Sequence, residues 1–249
     1  MQQTLFIANW KMQKTLTQSI EFCSTNLTSL KKLSVDTATE LVICPSFPSL
    51  YSLNEILADT PVHLGAQNCS PHESGAYTGQ VSAESLKEAG CNYCIVGHSE
   101  QRMYNGVTDQ DVAQAANNLC KNGIVPIICI GETKEQFEKN SALAVLEKQL
   151  DPVLSLLKNT KQPIIIAYEP VWAIGTGIIP ETTYLKKIFE HLNALFEKIH
   201  SGPWRIIYGG SVSEQTIPSF KDISAVTGFL IGGASLDFQK FEKIVSLGK

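Results

Sequence analysis

No stretch of the chain approaches the roughly 18 apolar residues that a membrane-spanning helix requires, so no transmembrane segment is expected. The amino-terminal Met1-Gln2-Gln3-Thr4 carries no basic segment and leads only into a short apolar run, so no secretory leader is expected either. There is no cluster of Lys and Arg with interleaved aromatics, and the net charge is −4. A phosphate backbone demands a basic face, which argues against a nucleic-acid partner but leaves local binding of a small anion open. The seven cysteines (Cys23, Cys44, Cys69, Cys91, Cys94, Cys120 and Cys129) are odd in number and lack the spacing of a disulfide framework. Reduced thiols and a cytoplasmic protein are therefore expected. Low-complexity tracts, linkers and composition shifts are absent as well.

What is present is a regular alternation. With 249 residues, a single domain over 1–249 can bury about three-quarters of its unfolded surface without a staple. Short β-branched runs predict strands at Leu5–Ala8, Glu40–Ile43, Val62–Ala66, Tyr93–Val96, Val125–Ile130, Ile164–Tyr168, Arg205–Tyr208 and Gly228–Ile231. Runs such as Ile164-Ile165-Ile166-Ala167 lack polar alternation, as strands of a parallel sheet buried on both faces do. Helical periodicity fills the intervals. Thr183–His200 lines up Leu185, Ile188, Phe189, Leu192, Leu195 and Phe196, and Ser141–Leu157 does the same, with Pro152 expected to kink or split it. Strands alternating with helices predict a closed (β/α)8 barrel. An open doubly wound sheet would place a Gly-rich turn after an early strand, where this chain has Asn9-Trp10-Lys11.

In such a barrel the reactive groups gather at the carboxyl ends of the strands. Those positions hold Asn9 and Lys11 (first), Gly97-His98-Ser99-Glu100 (fourth), and Glu169-Pro170-Val171-Trp172 with Gly175-Thr176-Gly177 (sixth). Gly209-Gly210-Ser211 follows the seventh run and Gly232-Gly233-Ala234-Ser235 the eighth. Singly, each has an ordinary reading: an exposed lysine, a satisfied histidine, a capping glutamate, plain glycine turns. Together on one rim they supply a base, an acid, a cation and backbone donors. The glycines after the last two strands occupy the usual phosphate-binding places of a barrel, where absent Cβ atoms let N–H groups converge on an anion. No Gly-Lys-Ser/Thr follows either pair, so a small phosphate ester fits better than a nucleotide.

Other chemistries lack their pattern. Gly97-His98-Ser99-Glu100-Gln101 misses the second glycine of a serine-hydrolase elbow, and Gly175-Thr176-Gly177 misses the third glycine of a dinucleotide fingerprint. Cys91-x-x-Cys94 has no second pair, and His63, His72, His191 and His200 show no ligand spacing. Cys94 reads as a small apolar residue of the fourth strand. No metal and no organic cofactor is expected.

These blocks, in order along the whole chain, resemble the triosephosphate isomerase family. They are Ala8-Asn9-Trp10-Lys11-Met12, Ile95-Val96-Gly97-His98-Ser99-Glu100, Ala167 through Gly177, Tyr208 through Val212 and Gly232 through Leu236. The resemblance implies a TIM barrel that interconverts dihydroxyacetone phosphate and glyceraldehyde 3-phosphate in glycolysis and gluconeogenesis. It implies Glu169 as the base, a neutral His98 as the electrophile and Lys11 as the positive charge against the oxyanion. Asn9 would position substrate, Glu100 would support His98 and Lys11, and Gly175, Ser211, Gly232 and Gly233 would hold the phosphate. It further implies a homodimer whose arm is the loop 67–79, with Thr78 reaching the partner's site. Rival readings are a phosphoribosyl-type isomerase, which would need a larger pocket, a Schiff-base aldolase, which would need its lysine on the sixth strand, and a silent scaffold.

The chain departs from the family in two places. After Gly177 the family commonly continues with a lysine and a few small residues before a proline, whereas here Ile178-Ile179 leads straight to Pro180. The loop is about two residues short, against a typical connection of roughly 4–6. Gln80 and Gln101 stand where the family usually has glutamate and arginine. An interface ion pair turned Gln–Gln and unrelated drift are both open readings.

Overall fold

The computed structural model describes residues 3–36, 39–220 and 222–248. Met1 and Gln2, on which the expectation about a leader partly rests, lie outside the described residues. In chain order the elements are β1 (Thr4–Asn9), α1 (Leu16–Asp36), β2 (Thr39–Cys44), α2 (Leu50–Leu57), β3 (Val62–Ala66), α3 (Ala83–Glu88) and β4 (Tyr93–Val96). They continue with α4 (Ser99–Asn105), α5 (Asp109–Lys121), β5 (Val125–Ile130), α6 (Lys134–Glu138), α7 (Ala142–Leu157), β6 (Ile164–Tyr168), α8 (Thr182–Ile199), β7 (Trp204–Tyr208), β8 (Gly228–Ile231) and α9 (Phe238–Leu247). Each strand pairs in parallel with the next, and β8 pairs with β1 to close the barrel. This is the (β/α)8 architecture expected from the alternation of runs.

Side chains alternate across each strand, so one parity faces the interior and the other faces the helices. Leu5 and Ile7, Val42 and Cys44, Ile95, Ile127 and Cys129, Ile165 and Ala167, Ile207 and Leu230 pack together inside. The opposite parity (Phe6, Ala8 and Trp10 on the first strand, Leu41 and Ile43 on the second) joins the larger core under the helices. Both faces are dry, which is why the strands read as unbroken apolar runs. Extending the inward parity beyond each strand end reaches Lys11, Gly97, Glu169, Gly209 and Gly232. The barrel interior therefore aims these positions at one mouth.

Local chemistry starts several helices. Thr108 and Asp111 form a reciprocal capping box ahead of α5, and Asp237 caps α9 through Lys240 N. Pro152 does not split α7, which runs unbroken from Ala142 to Leu157. Leu146, Leu150, Val153, Leu154 and Leu157 bury one face on both sides of the proline. The carbonyl deprived of its N–H belongs to Lys148, an exposed residue where water can serve.

At the barrel's opposite end Glu40 receives the Tyr93 hydroxyl and lies 2.5 Å from Arg205 Nη1, a closure characteristic of the stability face of such barrels. All seven cysteines are buried and free. Burial raises the thiols of Cys23, Cys69 and Cys91 to about 12 and that of Cys120 to about 11, which keeps them protonated and unreactive. Among the described residues no helix is long and apolar enough to cross a membrane, and no His/Cys/Asp/Glu group could hold a metal ion.

Candidate active site

A cavity of about 260 Å³ opens at the carboxyl end of the barrel. Asn9, Lys11, His98, Glu169, Gly175, Ser211, Gly232 and Gly233 all line it, with Ile174, Gly209, Gly210 and Leu230 beside them. Eight of the expected site residues thus come together from β1, β4, β6, β7 and β8. Glu100 and Thr78 do not line it. Glu100 stands behind, with Oε1 2.6 Å from Lys11 Nζ and Oε2 3.6 Å from His98 Nδ1. Thr78 is exposed on the loop 67–79.

Glu169 is 2% exposed. Its Oε2 accepts the Ser99 N–H at 3.1 Å, while its Oε1 lies 3.1 Å from His98 Nε2 and holds no hydrogen bond. One oxygen is therefore anchored and the other is free to accept a proton from the cavity. His98 is the residue before α4, and its Nδ1 accepts the Glu100 N–H at 3.2 Å. A nitrogen that accepts an N–H carries no proton, so the imidazole proton sits on Nε2 beside the cavity. Directly beneath Glu169, the fully buried Cys129 thiol is pushed well above its ordinary range by burial, then by the charge of Glu169.

Lys11 sits in the left-handed region at φ 51°, uncommon for a residue with a side chain. The Asn9 side chain accepts its N–H at 3.1 Å, and Gln67 Nε2 donates to its carbonyl at 2.8 Å and to that of Cys44 at 2.9 Å. These bonds hold a strained backbone so that the ammonium group faces the cavity. Across the mouth, a Cβ on Gly233 would meet nothing within 4 Å, and one on Gly232 would meet only Lys11 Cε at 3.4 Å. The space before these glycines is open for a ligand to approach their main chain.

The segment after β6 borders this space through Ile174, Gly175 and Gly177. It begins with a 3₁₀ turn (Val171–Ala173) and passes through Gly175 (φ 71°) and Gly177 (φ 74°). Ala173 O accepts the hydroxyls of Ser211 at 2.6 Å and Thr176 at 3.1 Å. Its base is fixed by Glu132, a fully buried carboxylate that receives the Tyr168 hydroxyl at 3.1 Å, Trp172 Nε1 at 2.6 Å and the Tyr184 hydroxyl at 3.0 Å. Burial raises the Glu132 carboxyl, and these donors oppose the rise.

The sequence reading missed Gln67, the Ser99 amide, Cys129 and Glu132. Cys129 and Glu132 flank the end of β5, so the strand-end rule reaches them, but neither carries a distinctive motif. Gln80 and Gln101 both line a second cavity of about 450 Å³ between the loop 67–79 and α4. Within the chain, Gln80 Oε1 accepts from Ser70 Oγ and Gln101 Oε1 from Asn105 Nδ2.

A family model described as triosephosphate isomerase matches residues 4–248. The chain is 41% identical to a protein named triosephosphate isomerase from Aquifex aeolicus, over 97% of this chain and 98% of that one. It is 40% identical to one of the same name from Thermus thermophilus, over 97% of each chain. With one from Endomicrobium trichonymphae it shares 35% identity over the full length of both.

Proposed function

The chain belongs to the triosephosphate isomerase family of intramolecular isomerases, and from that premise we propose that it interconverts dihydroxyacetone phosphate and D-glyceraldehyde 3-phosphate through an enediolate. The observation that carries the reading is the free Glu169 Oε1 set 3.1 Å from the protonated nitrogen of His98, on one wall of a cavity with Lys11 and the glycine loops around it. Glu169 takes the proton from the carbon next to the carbonyl, and the electron pair moves into the carbon–carbon double bond of the enediolate. The carbonyl oxygen becomes the oxyanion, held by the His98 Nε2–H and the Lys11 ammonium. His98 passes a proton between the two enediolate oxygens, so that the former carbonyl oxygen becomes the hydroxyl. The protonated Glu169 then returns its proton to the neighbouring carbon, as the double-bond pair moves to bond it and the other oxygen becomes the carbonyl. Donors aimed in advance at the developing charge supply the largest stabilisation.

The remaining roles follow from position. Glu100 orients Lys11 through their 2.6 Å contact and fixes the His98 tautomer through its amide. Asn9 holds the Lys11 backbone and faces substrate. The main-chain N–H groups of Gly175, Ser211, Gly232 and Gly233 bind the phosphate. A cavity of about 260 Å³ suits a three-carbon ester. A coupled assay with glyceraldehyde 3-phosphate tests the reading; a folded protein without turnover would overturn it and favour the silent scaffold.

The short segment after Gly177 affects closure. Ile179 packs on the core while Ile178 stays 53% exposed, so a single residue separates Gly177 from an anchored position. A tethered cover excludes water less completely, and an enediolate exposed to water eliminates phosphate. We expect more inorganic phosphate per turnover than from a relative with the longer loop. Equal release from both enzymes would defeat this expectation.

A homodimer through the loop 67–79, with Thr78 at the partner's site, completes the reading. Met12 is 95% exposed, Tyr77 43% and Met103 62%, and Phe47, 38% exposed, lines the 450 Å³ cavity together with Gln80 and Gln101. A second copy would cover this apolar surface and bring each glutamine near the partner's chain. Sedimentation at assay concentration should give the mass of two chains. An active monomer would contradict the dimer.

A further inference from the structure

At the mouth of the barrel β5 outlasts its neighbour. β4 ends at Val96, which pairs with Ile128, whereas β5 continues to Ile130 and its extension to Glu132. Successive residues of a parallel strand turn their N–H and C=O groups to opposite neighbours. Ile130 O and Glu132 O face β6, where they accept the amides of Glu169 at 2.8 Å and Val171 at 3.1 Å. Cys129 and Gly131 face the other way, towards a strand that has already turned into α4. The carbonyl that would come next there, His98 O, accepts the amides of Gln101 and Arg102 instead.

Side chains fill the missing rungs. Arg102 donates through Nε to Gly97 O at 2.8 Å and through Nη2 to Cys129 O at 3.2 Å. One residue further on, Gln149 of α7 accepts the Gly131 N–H at 2.8 Å and donates to the Gly131 carbonyl at 3.0 Å. A single half-buried side chain thus holds both polar groups of Gly131.

Gly131 in turn lies against the main chain of Glu169. A Cβ on Gly131 would stand 1.7 Å from the Glu169 carbonyl oxygen, so the two backbones touch with no room for adjustment. The Glu169 amide is bonded to Ile130 O, the residue just before. Any shift of Gly131 is therefore passed to Glu169, whose carboxylate must keep its 3.1 Å distances to Ser99 N and His98 Nε2.

We propose that Gln149 is a positioning residue for the proton-transfer step, setting Glu169 against His98 through its two-point hold on Gly131. It does not line the substrate cavity, so its influence passes only through the main chain. The proposal rests on the reading of Glu169 as the base.

The test compares Gln149→Met, which keeps length but makes neither bond, with Gln149→Glu, which keeps only the bond to the Gly131 N–H. Both are made in the wild-type and Glu169→Asp backgrounds, and kcat and KM for glyceraldehyde 3-phosphate are measured well below each unfolding midpoint. A misplacement of about 1 Å costs about 10²-fold, so the smaller slack of a lost clamp should lower kcat about tenfold in Gln149→Met. Gln149→Glu should fall between, and KM should stay within about twofold because the phosphate glycines sit on other elements. In Glu169→Asp, where the base is already displaced, the Gln149→Met penalty should shrink to less than about threefold. Wild-type kcat in either folded Gln149 variant, or the same penalty in both backgrounds, overturns the proposal. If Glu169→Asp itself keeps wild-type kcat, the base assignment falls and takes the proposal with it.

Discussion

Glu169→Gln is expected to lower kcat by about a thousandfold, within the roughly 10²–10⁴-fold that a positioned proton-transfer group contributes. The substitution isolates chemistry from structure. Glutamine has nearly the same shape, and its amide oxygen can still accept the Ser99 N–H now bonded to Oε2. The cavity walls, the Lys11–Glu100 contact and the glycine loops stay as they are. What disappears is the unbonded Oε1 beside His98 Nε2, the one buried oxygen of the site without a hydrogen bond among the described residues. KM should change little, because the phosphate contacts proposed above would be made by other elements and would serve ground and transition states alike. A thousandfold loss is about 4 kcal/mol of transition-state stabilisation. A variant within tenfold of wild-type kcat would show that another group moves the proton.

Much of this site was legible before any coordinates, for a physical reason. Parallel strands buried on both faces must be continuous apolar runs, so their ends are conspicuous, and β3, β4, β5, β6 and β8 have the bounds expected. β1, β2 and β7 are longer by one or two residues, at Thr4, Asn9, Thr39, Cys44 and Trp204, because parallel pairing with the neighbouring strand runs one residue beyond the expected run at those ends. The reactive groups follow those ends directly, so Asn9, Lys11, His98 and Glu169 could be placed on one rim. The supports could not be placed, since they join residues far apart in the chain. Gln67 reaches back 56 positions to Lys11, and Tyr184 reaches 52 to Glu132. Nothing in Asn9-Trp10-Lys11 announces a left-handed lysine either; that conformation is imposed by bonds from Asn9 and Gln67. Pro152 leaves its helix unsplit for the opposite reason, because burial on both sides of it outweighs one missing helical bond.

Glu132→Leu tests the least legible of these supports, and its effect should appear in stability and catalysis together. The carboxylate gathers three donors in a water-free place at the root of the segment over the site. Phe137 stacks on Trp172 at 4.2 Å and meets Tyr184 edge-on at 5.2 Å, so the donors cannot turn away to other partners. Each orphaned donor costs about 1–3 kcal/mol, and removing a buried carboxylate returns part of that, leaving a net loss of about 3 kcal/mol. For a chain of this size that lowers Tm by roughly 6–12 °C. The pH dependence has a definite sign. The folded carboxyl is raised above its usual 4.5, so Glu132 contributes most below that value. Its contribution is lost as pH rises from there through the raised value. The deficit of Glu132→Leu relative to wild type should therefore be larger near the acid end of that window and narrow towards neutral pH. A deficit that widens with pH would mean that the ionised carboxylate is the better partner for the three donors. With Trp172 released, the segment loses its fixed root, and phosphate elimination per turnover should rise alongside the fall in Tm. Loss of stability with unchanged elimination would reduce Glu132 to a core-packing role and separate it from the cover over Glu169 and His98.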